Sequence, residues 1–389
     1  MSASLRRGLA NLACRTLQAT LPPSLQSWGW AIHYETASIS DDTKALLFAL
    51  NSLCGLLPRA VAAQLLHPFA ALFGDGALFA DGLNVVDAAM RRPRALGILC
   101  ATGAVLLGLA YMAAAGAPTR YLGTNIGALV IGLTMLAVLG RTVTAERCSA
   151  DAPIVAMAGA LLATALLGAE VEGAVRWVYI GGLSVQPSLV LLPVMLALFA
   201  RTRSTPATVG IVSAAIAIAL QPDRAMAGML ALCLATLTAI RRDPHVVTAL
   251  AATVIGFAVT LVRADRLPAV PYVDQILYSS FDVHAVAGLA VLSGSALLLV
   301  PAIAGWRRDP DNRATYSAFG AVWFAVMMAA AVGNYPTPVV GYGGSAIIGY
   351  ALSLLALPKR AGAPAGAAAG ARDPADGSAS DRHLLIALA

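Results

Sequence analysis

From Arg94 onward, long uncharged apolar runs alternate with short segments rich in Arg, Gly, Pro and Tyr. The runs are Ala95–Gly116, Tyr121–Gly140, Ala152–Gly168, Pro187–Ala200 and Ala207–Leu220, then Ala225–Ile240, Val246–Val262, His284–Ala304, Ala314–Val332 and Tyr342–Leu357. Most approach the roughly 20 residues a helix needs to cross about 30 Å of hydrocarbon, and the shorter ones can extend into their flanks. Lipid offers exposed backbone polar groups no partner, so each run must be helical. The pattern predicts an all-α polytopic membrane protein of about ten transmembrane helices. No fixed-period repeat is visible.

The two ends of the chain read differently. In residues 1–93 the apolar runs are short and interrupted by Pro22, Pro23, Arg59 and His67. Ser40 or Asp41 is placed to cap a helix over Lys44–Leu57, whose apolar face is Leu46, Leu47, Ala49, Leu50 and Leu53. This predicts an N-terminal helical module, cytosolic or lying on the membrane surface. A further span over Ala45–Leu66 is the alternative, against which Asn51, Arg59 and Gln64 argue. No signal-peptide pattern stands near the start. Residues 94–358 form the transmembrane domain, and 359–389, rich in Ala, Gly, Pro and Asp, read as a disordered cytoplasmic tail.

Composition strengthens the membrane reading: 59% of residues are hydrophobic and only 12% charged, with a mean hydropathy of +0.76. A soluble domain carries about twice that charge. Basic residues then orient the spans. Arg91, Arg92 and Arg94, Arg141 and Arg147, Arg201 and Arg203, Arg241 and Arg242, Arg307, Arg308 and Arg313, and Lys359 and Arg360 fall in alternate gaps, while the gaps between them are poorer in Arg. The positive-inside rule puts the Arg-rich gaps and both termini in the cytoplasm. The segments 117–120, 169–186, 221–224, 263–283 and 333–341 then face outward. The basic pI is explained by these anchors, so no nucleic-acid partner is implied. Cys14, Cys54, Cys100, Cys148 and Cys233 are scattered, none in an outward segment, which supports neither a disulfide framework nor a zinc site.

Charge is costly within a span, so the polar groups near the core merit notice. They cluster on the outward side in four segments: Glu170 to Ser188, Gln221 to Arg224, Leu267 to His284, and Asn334 to Ser345. Each has a bland reading. Arg176-Trp177 suits an interfacial anchor pair, and Gln186-Pro187-Ser188 and Gln221-Pro222-Asp223 suit helix starts. Tyr342-Gly343-Gly344-Ser345 suits close helix packing, Asp274 a solvated turn, and His284 a helix cap.

The same residues carry a resemblance. Gly173-Ala174-Val175-Arg176-Trp177, Gln186-Pro187-Ser188, Gln221-Pro222-Asp223 and Pro338-Val339-Val340-Gly341-Tyr342-Gly343-Gly344-Ser345 stand in the order and spacing of the SEDS family (shape, elongation, division and sporulation), the FtsW/RodA/SpoVE group. The chain resembles that family over roughly residues 95–358. The resemblance departs at Leu189 and Leu192, where the family has Glu and Lys, at Arg224-Ala225-Met226, and in the short segment 263–283.

The resemblance implies a SEDS-like protein of peptidoglycan assembly in the bacterial inner membrane. It would be a glycosyltransferase polymerising lipid II, a lipid-linked glycan precursor, on the outer face. Asp274 would be the catalytic base, with Asp282 as the alternative. Arg176 and Arg224 would face the diphosphate, and Trp177, Gln186, Ser188, Gln221, Asp223, Tyr342, Gly343, Gly344 and Ser345 would complete the substrate-binding set. A class B penicillin-binding protein or another divisome or elongasome membrane protein would be its partner. No cofactor and no metal site are expected, a divalent metal being left open. The alternatives are a non-catalytic SEDS-like precursor binder or scaffold, favoured by the missing Glu and Lys, and a transporter or flippase. The latter calls for ionisable groups at mid-membrane, which are few here.

Overall fold

The computed structural model describes residues 3–21, 26–53, 55–56, 91–142, 150–171, 174–181, 183–263 and 268–359. The expected tail beyond residue 359, the stretch 57–90 with the later half of the alternative span, and Arg147 lie outside the described residues. The chain divides into two compact units, Met1–Leu99 and Cys100–Ala389.

The first unit holds α1 (Ala3–Thr20), α2 (Gln26–Ser38) and α3 (residues 42–53). Ala10, Ala13, Cys14 and Leu17 recur on one face of α1 and bury against Ile32 and Ala49. Asp41 caps α3, accepting hydrogen bonds from the Thr43 and Lys44 amides, and these bonds hold its carboxyl below the usual range. Arg7 ties the unit together: it pairs with Asp42 at 3.1 Å and donates to the Thr36 and Ile39 carbonyls.

α4 (Pro93–Ala114) carries the chain into the second unit, followed by α5 (Thr119–Thr142) and α6 (Asp151–Leu167). Three short strands come next, then α7 (Pro187–Thr202), α8 (Thr205–Leu220), α9 (Arg224–Ile240) and α10 (Pro244–Val262). After a loop come α11 (Ile276–Val283), α12 (Ala285–Leu297), α13 (Val300–Arg308), α14 (Arg313–Val332) and α15 (Gly344–Ser353). Among the described residues five stretches are long and apolar enough to cross a membrane, and five shorter apolar helices accompany them. The architecture is an all-helical polytopic membrane fold.

α7 is the hub. It packs against α6, α8, α9, α14 and α15, and nearly its whole length is buried. By contrast, the apolar faces of α5 and α10 stay exposed, with Ile126, Val130, Ile131, Val254, Ile255 and Val262 pointing outward. An exposed apolar surface of that extent needs lipid, not water, around it. Gly349 lets α15 approach α7 closely, since a Cβ there would stand 2.1 Å from the Leu189 carbonyl oxygen. Gly108 does the same for α4 against Val340, at 2.3 Å.

Two elements depart from the hydropathy pattern. The run His284–Ala304 is not one helix but α12 and α13, broken at Leu298 and Leu299. Pro301 has no N–H to give the Leu297 carbonyl, so the helical ladder cannot run through. Tightened bonds from Leu298 to Ser295 and from Leu299 to Ala296 close the first helix, and the Tyr350 hydroxyl donates to the Leu298 carbonyl at 3.1 Å. Segment 169–186 is a small antiparallel sheet rather than a plain loop, with β1 (Ala169–Val171), β2 (Ala174–Ile180) and β3 (Leu183–Val185) in that order. The β-branched and aromatic run Val175-Arg176-Trp177-Val178-Tyr179-Ile180 favours a strand. Ile180 pairs with Leu183 across Gly181-Gly182, and Gly181 takes the positive φ of 58° that a two-residue hairpin demands.

Candidate functional site

The Gln-Pro-Ser and Gln-Pro-Asp segments meet at the starts of α7 and α9. Pro187 stands at the first turn of α7, where its missing N–H costs nothing, and Gln186 precedes it in extended backbone. Asp223 caps α9, accepting from the Met226 amide at 3.1 Å. The Gln186 side-chain amide donates to Asp223 Oδ2 at 3.0 Å and to the Ser188 hydroxyl at 3.1 Å. Gln221 ends α8 and donates to the Leu161 carbonyl at 3.1 Å, joining α6.

Arg176 reaches this junction from β2. Its guanidinium donates to the Gln221 and Pro222 carbonyls, and its Nε lies 3.9 Å from Asp223 Oδ2. Both side chains are buried, at 4% and 1% exposure. The arginine expected to face a diphosphate thus neutralises a buried carboxylate and holds the sheet to the α8–α9 corner. Arg224 is likewise engaged: it donates to the Thr260, Leu261 and Arg263 carbonyls at the end of α10. Arg263 reciprocates toward the Ala219 and Leu220 carbonyls at the end of α8. Cations at helix C-termini satisfy carbonyls left without intrahelical donors. Trp177 lies half-buried in β2, opposite Ala169 of β1.

A second cluster surrounds Asp274. Its residue bridges Pro336 in antiparallel fashion, and the Thr337 amide donates to the Val273 carbonyl at 3.0 Å. The loop before α11 is therefore pinned to the loop after α14. Asp274 is 8% exposed. Its Oδ2 accepts from the Val270 amide at 2.8 Å, while its buried Oδ1 has no hydrogen-bond partner. Burial pushes the carboxyl above the usual range, and the Val270 N–H offsets part of this. Tyr272, Gln275 and Val339 all take positive φ, at 64°, 57° and 68°. For a β-branched residue such as Val339 this is costly, and such strain gathers at functional sites. Asp282 is exposed on α11, and His284 caps α12 by accepting from the Val286 amide.

The Tyr342-Gly343-Gly344-Ser345 segment joins the two clusters. The Tyr342 amide donates to the Tyr272 carbonyl at 2.7 Å, beside Asp274. Three residues on, the Ser345 hydroxyl accepts from the Gln186 amide at 2.9 Å, beside Asp223. Between them Asn125 of α5 clamps the turn, donating to the Gly341 carbonyl at 2.8 Å and accepting from the Gly343 amide at 3.2 Å. Tyr121, one turn earlier, stacks on Tyr342 with ring centroids 3.9 Å apart. The motif reading missed Asn125 and Tyr121. The available signal was a lone amide in the uncharged run Tyr121–Gly140, which the structure buries completely. Among the described residues no three His, Cys, Asp or Glu side chains gather as a metal site.

No protein-family profile and no curated protein matches the sequence. Among solved structures, the crystal structure of the Thermus thermophilus rod shape determining protein RodA matches with a TM-score of 0.50 at 21% identity, covering 67% of this chain and 93% of that one. The fold is RodA-like. A single-substitution form of the same Thermus protein gives a TM-score of 0.49 at 20% identity. With 93% of the first Thermus chain covered, the likeness is to its fold as a whole rather than to a local run of helices.

Proposed function

We propose that this chain is a SEDS-like protein of bacterial cell-wall assembly that handles a lipid-linked glycan precursor in the inner membrane. One observation carries the reading: four segments resembling SEDS motifs are tied to one another by hydrogen bonds in a chain of RodA-like fold. Asp274 is the group best suited to general-base chemistry. A partly desolvated carboxylate with raised proton affinity and one unpartnered oxygen can take the proton of an acceptor sugar hydroxyl. The hydroxyl oxygen of the acceptor sugar attacks the donor anomeric carbon, and the lipid diphosphate departs. The precursor is lipid II, and a class B penicillin-binding protein is the partner class. The test is polymerisation of lipid II by the purified protein, alone and with such a partner. Glycan product is expected from the parent chain and a loss of two orders of magnitude or more from Asp274→Ala, about the scale of general-base catalysis. Product unaffected by Asp274→Ala would remove the role.

A second reading is favoured by Leu189 and Leu192 at the family's Glu and Lys positions, and by the engagement of Arg176 and Arg224 with protein acceptors. In it the chain is a non-catalytic precursor binder or scaffold. It predicts saturable binding of an undecaprenyl-linked ligand with no turnover under any partner condition.

A further inference from the structure

The N-terminal unit carries a surface that the wall-assembly reading does not use. On α2 the buried side is marked by Gly29, Ile32 and Thr36. Trp30 and Tyr34, one turn apart, lie away from that side at 56% and 72% exposure, while Trp28, at 59%, stands more than 100° round the helix from both. Around the pair, Ser27, Ala31, Ala37 and Ser38 are small, uncharged and exposed, so the two rings stand proud of the helix. Glu35, the carboxylate of this helix, sits about 100° round from Tyr34. Two of the chain's five tryptophans are therefore spent on one 13-residue helix, in water-facing positions.

We infer that α2 docks on the bilayer surface, with the Trp30 and Tyr34 rings set among the lipid headgroups. Indole and phenol rings pair an apolar body with a hydrogen-bonding tip, and that combination is stabilised where acyl chains give way to headgroups. The bilayer is also always at hand. Residues 57–92 join the unit to α4, the first membrane helix, so docking is an intramolecular event at high effective concentration.

The test uses the full chain in nanodiscs of phosphatidylethanolamine and phosphatidylglycerol, with and without brominated acyl chains. Subtracting the fluorescence of a W30F variant from that of the parent isolates the Trp30 indole, because Trp28, Trp177, Trp306 and Trp323 are common to both. The expected difference spectrum is blue-shifted, quenched by bromolipid and shielded from aqueous acrylamide. A red-shifted component quenched by acrylamide would mean the face stands in water and would overturn the inference. Shielding from both quenchers would also overturn it, assigning the cover to protein: residues 57–90, a second copy or a partner. As a second variant, Tyr34→Asp places a charge on the face without touching the buried side. It is expected to shift the Trp30 indole emission to the red, and unchanged emission would count against docking.

Discussion

Asp274 and the Arg176–Asp223 pair are both buried, yet they make opposite demands on the protein. Asp274 keeps one oxygen without a partner, so ionising it costs stability. Near and below the unfolded carboxyl value of about 4, native and unfolded states both hold the proton and no penalty arises. As pH rises through the raised native value, the folded chain must ionise a buried oxygen and loses stability. Asp274→Asn cannot ionise and keeps an acceptor for the Val270 amide. Its melting temperature relative to the parent is expected to climb with pH and then level off. A difference that is flat with pH would sink this account. Asp223, in contrast, is fully engaged as helix cap, hydrogen-bond acceptor and counterion. Asp223→Ala strands the Arg176 guanidinium and is expected to cost about 3–5 kcal/mol, read as a drop in thermal stability in detergent. Replacing both residues by apolar ones should recover most of that, leaving about 1 kcal/mol for the lost cap. The sequence marks all three residues as unusual by their place between apolar runs. It does not say that Arg176 faces Asp223 rather than a ligand, because that pairing joins β2 to α9 across 47 positions of chain.

Helices were legible from apolar run length, since backbone hydrogen bonding in lipid leaves no other choice. Where they break was less so. Pro301 signals the division of α12 from α13, but Pro193 sits inside α7 without ending it, and only the surrounding packing separates the two cases. Small residues divide the same way. Gly349→Ala places a methyl group against the Leu189 carbonyl and should separate α15 from α7, costing about 1–3 kcal/mol. Gly343 has open space around it, so Gly343→Ala should change stability far less. Comparing the melting temperatures of the two variants tests whether that contact governs the hub. Asn125→Leu removes both side-chain bonds to the Gly341–Gly343 turn. The loss of about 1–3 kcal/mol is expected to appear as faster amide exchange at Gly343 and Ser345, not as global unfolding.

For the molecule as a whole, the decisive expectation is sidedness. Arg-rich gaps alternate with Arg-poor ones, so impermeant thiol reagents should label Ser184→Cys in β3 and Gln275→Cys from outside the cell. Arg242→Cys and a cysteine after Lys359 should label only after the membrane is opened. Labelling with the opposite preference would reverse the orientation and remove the outward site from the precursor's side. What the sequence determined by itself was the class of protein: charge and long apolar runs dictate spans, because desolvating a backbone or a charge in lipid is too costly for any other arrangement. It also ordered the four motif segments along the chain. Only the tertiary structure decided what those segments do to one another. Gln186 meets Asp223 and Ser345, Tyr342 meets Tyr272, and Asn125 clamps the turn between them, through hydrogen bonds spanning from 37 to 218 positions. Such contacts carry no local periodicity. They exist because α7, packed on nearly every side, brings the ends of its neighbours to one face of the bundle.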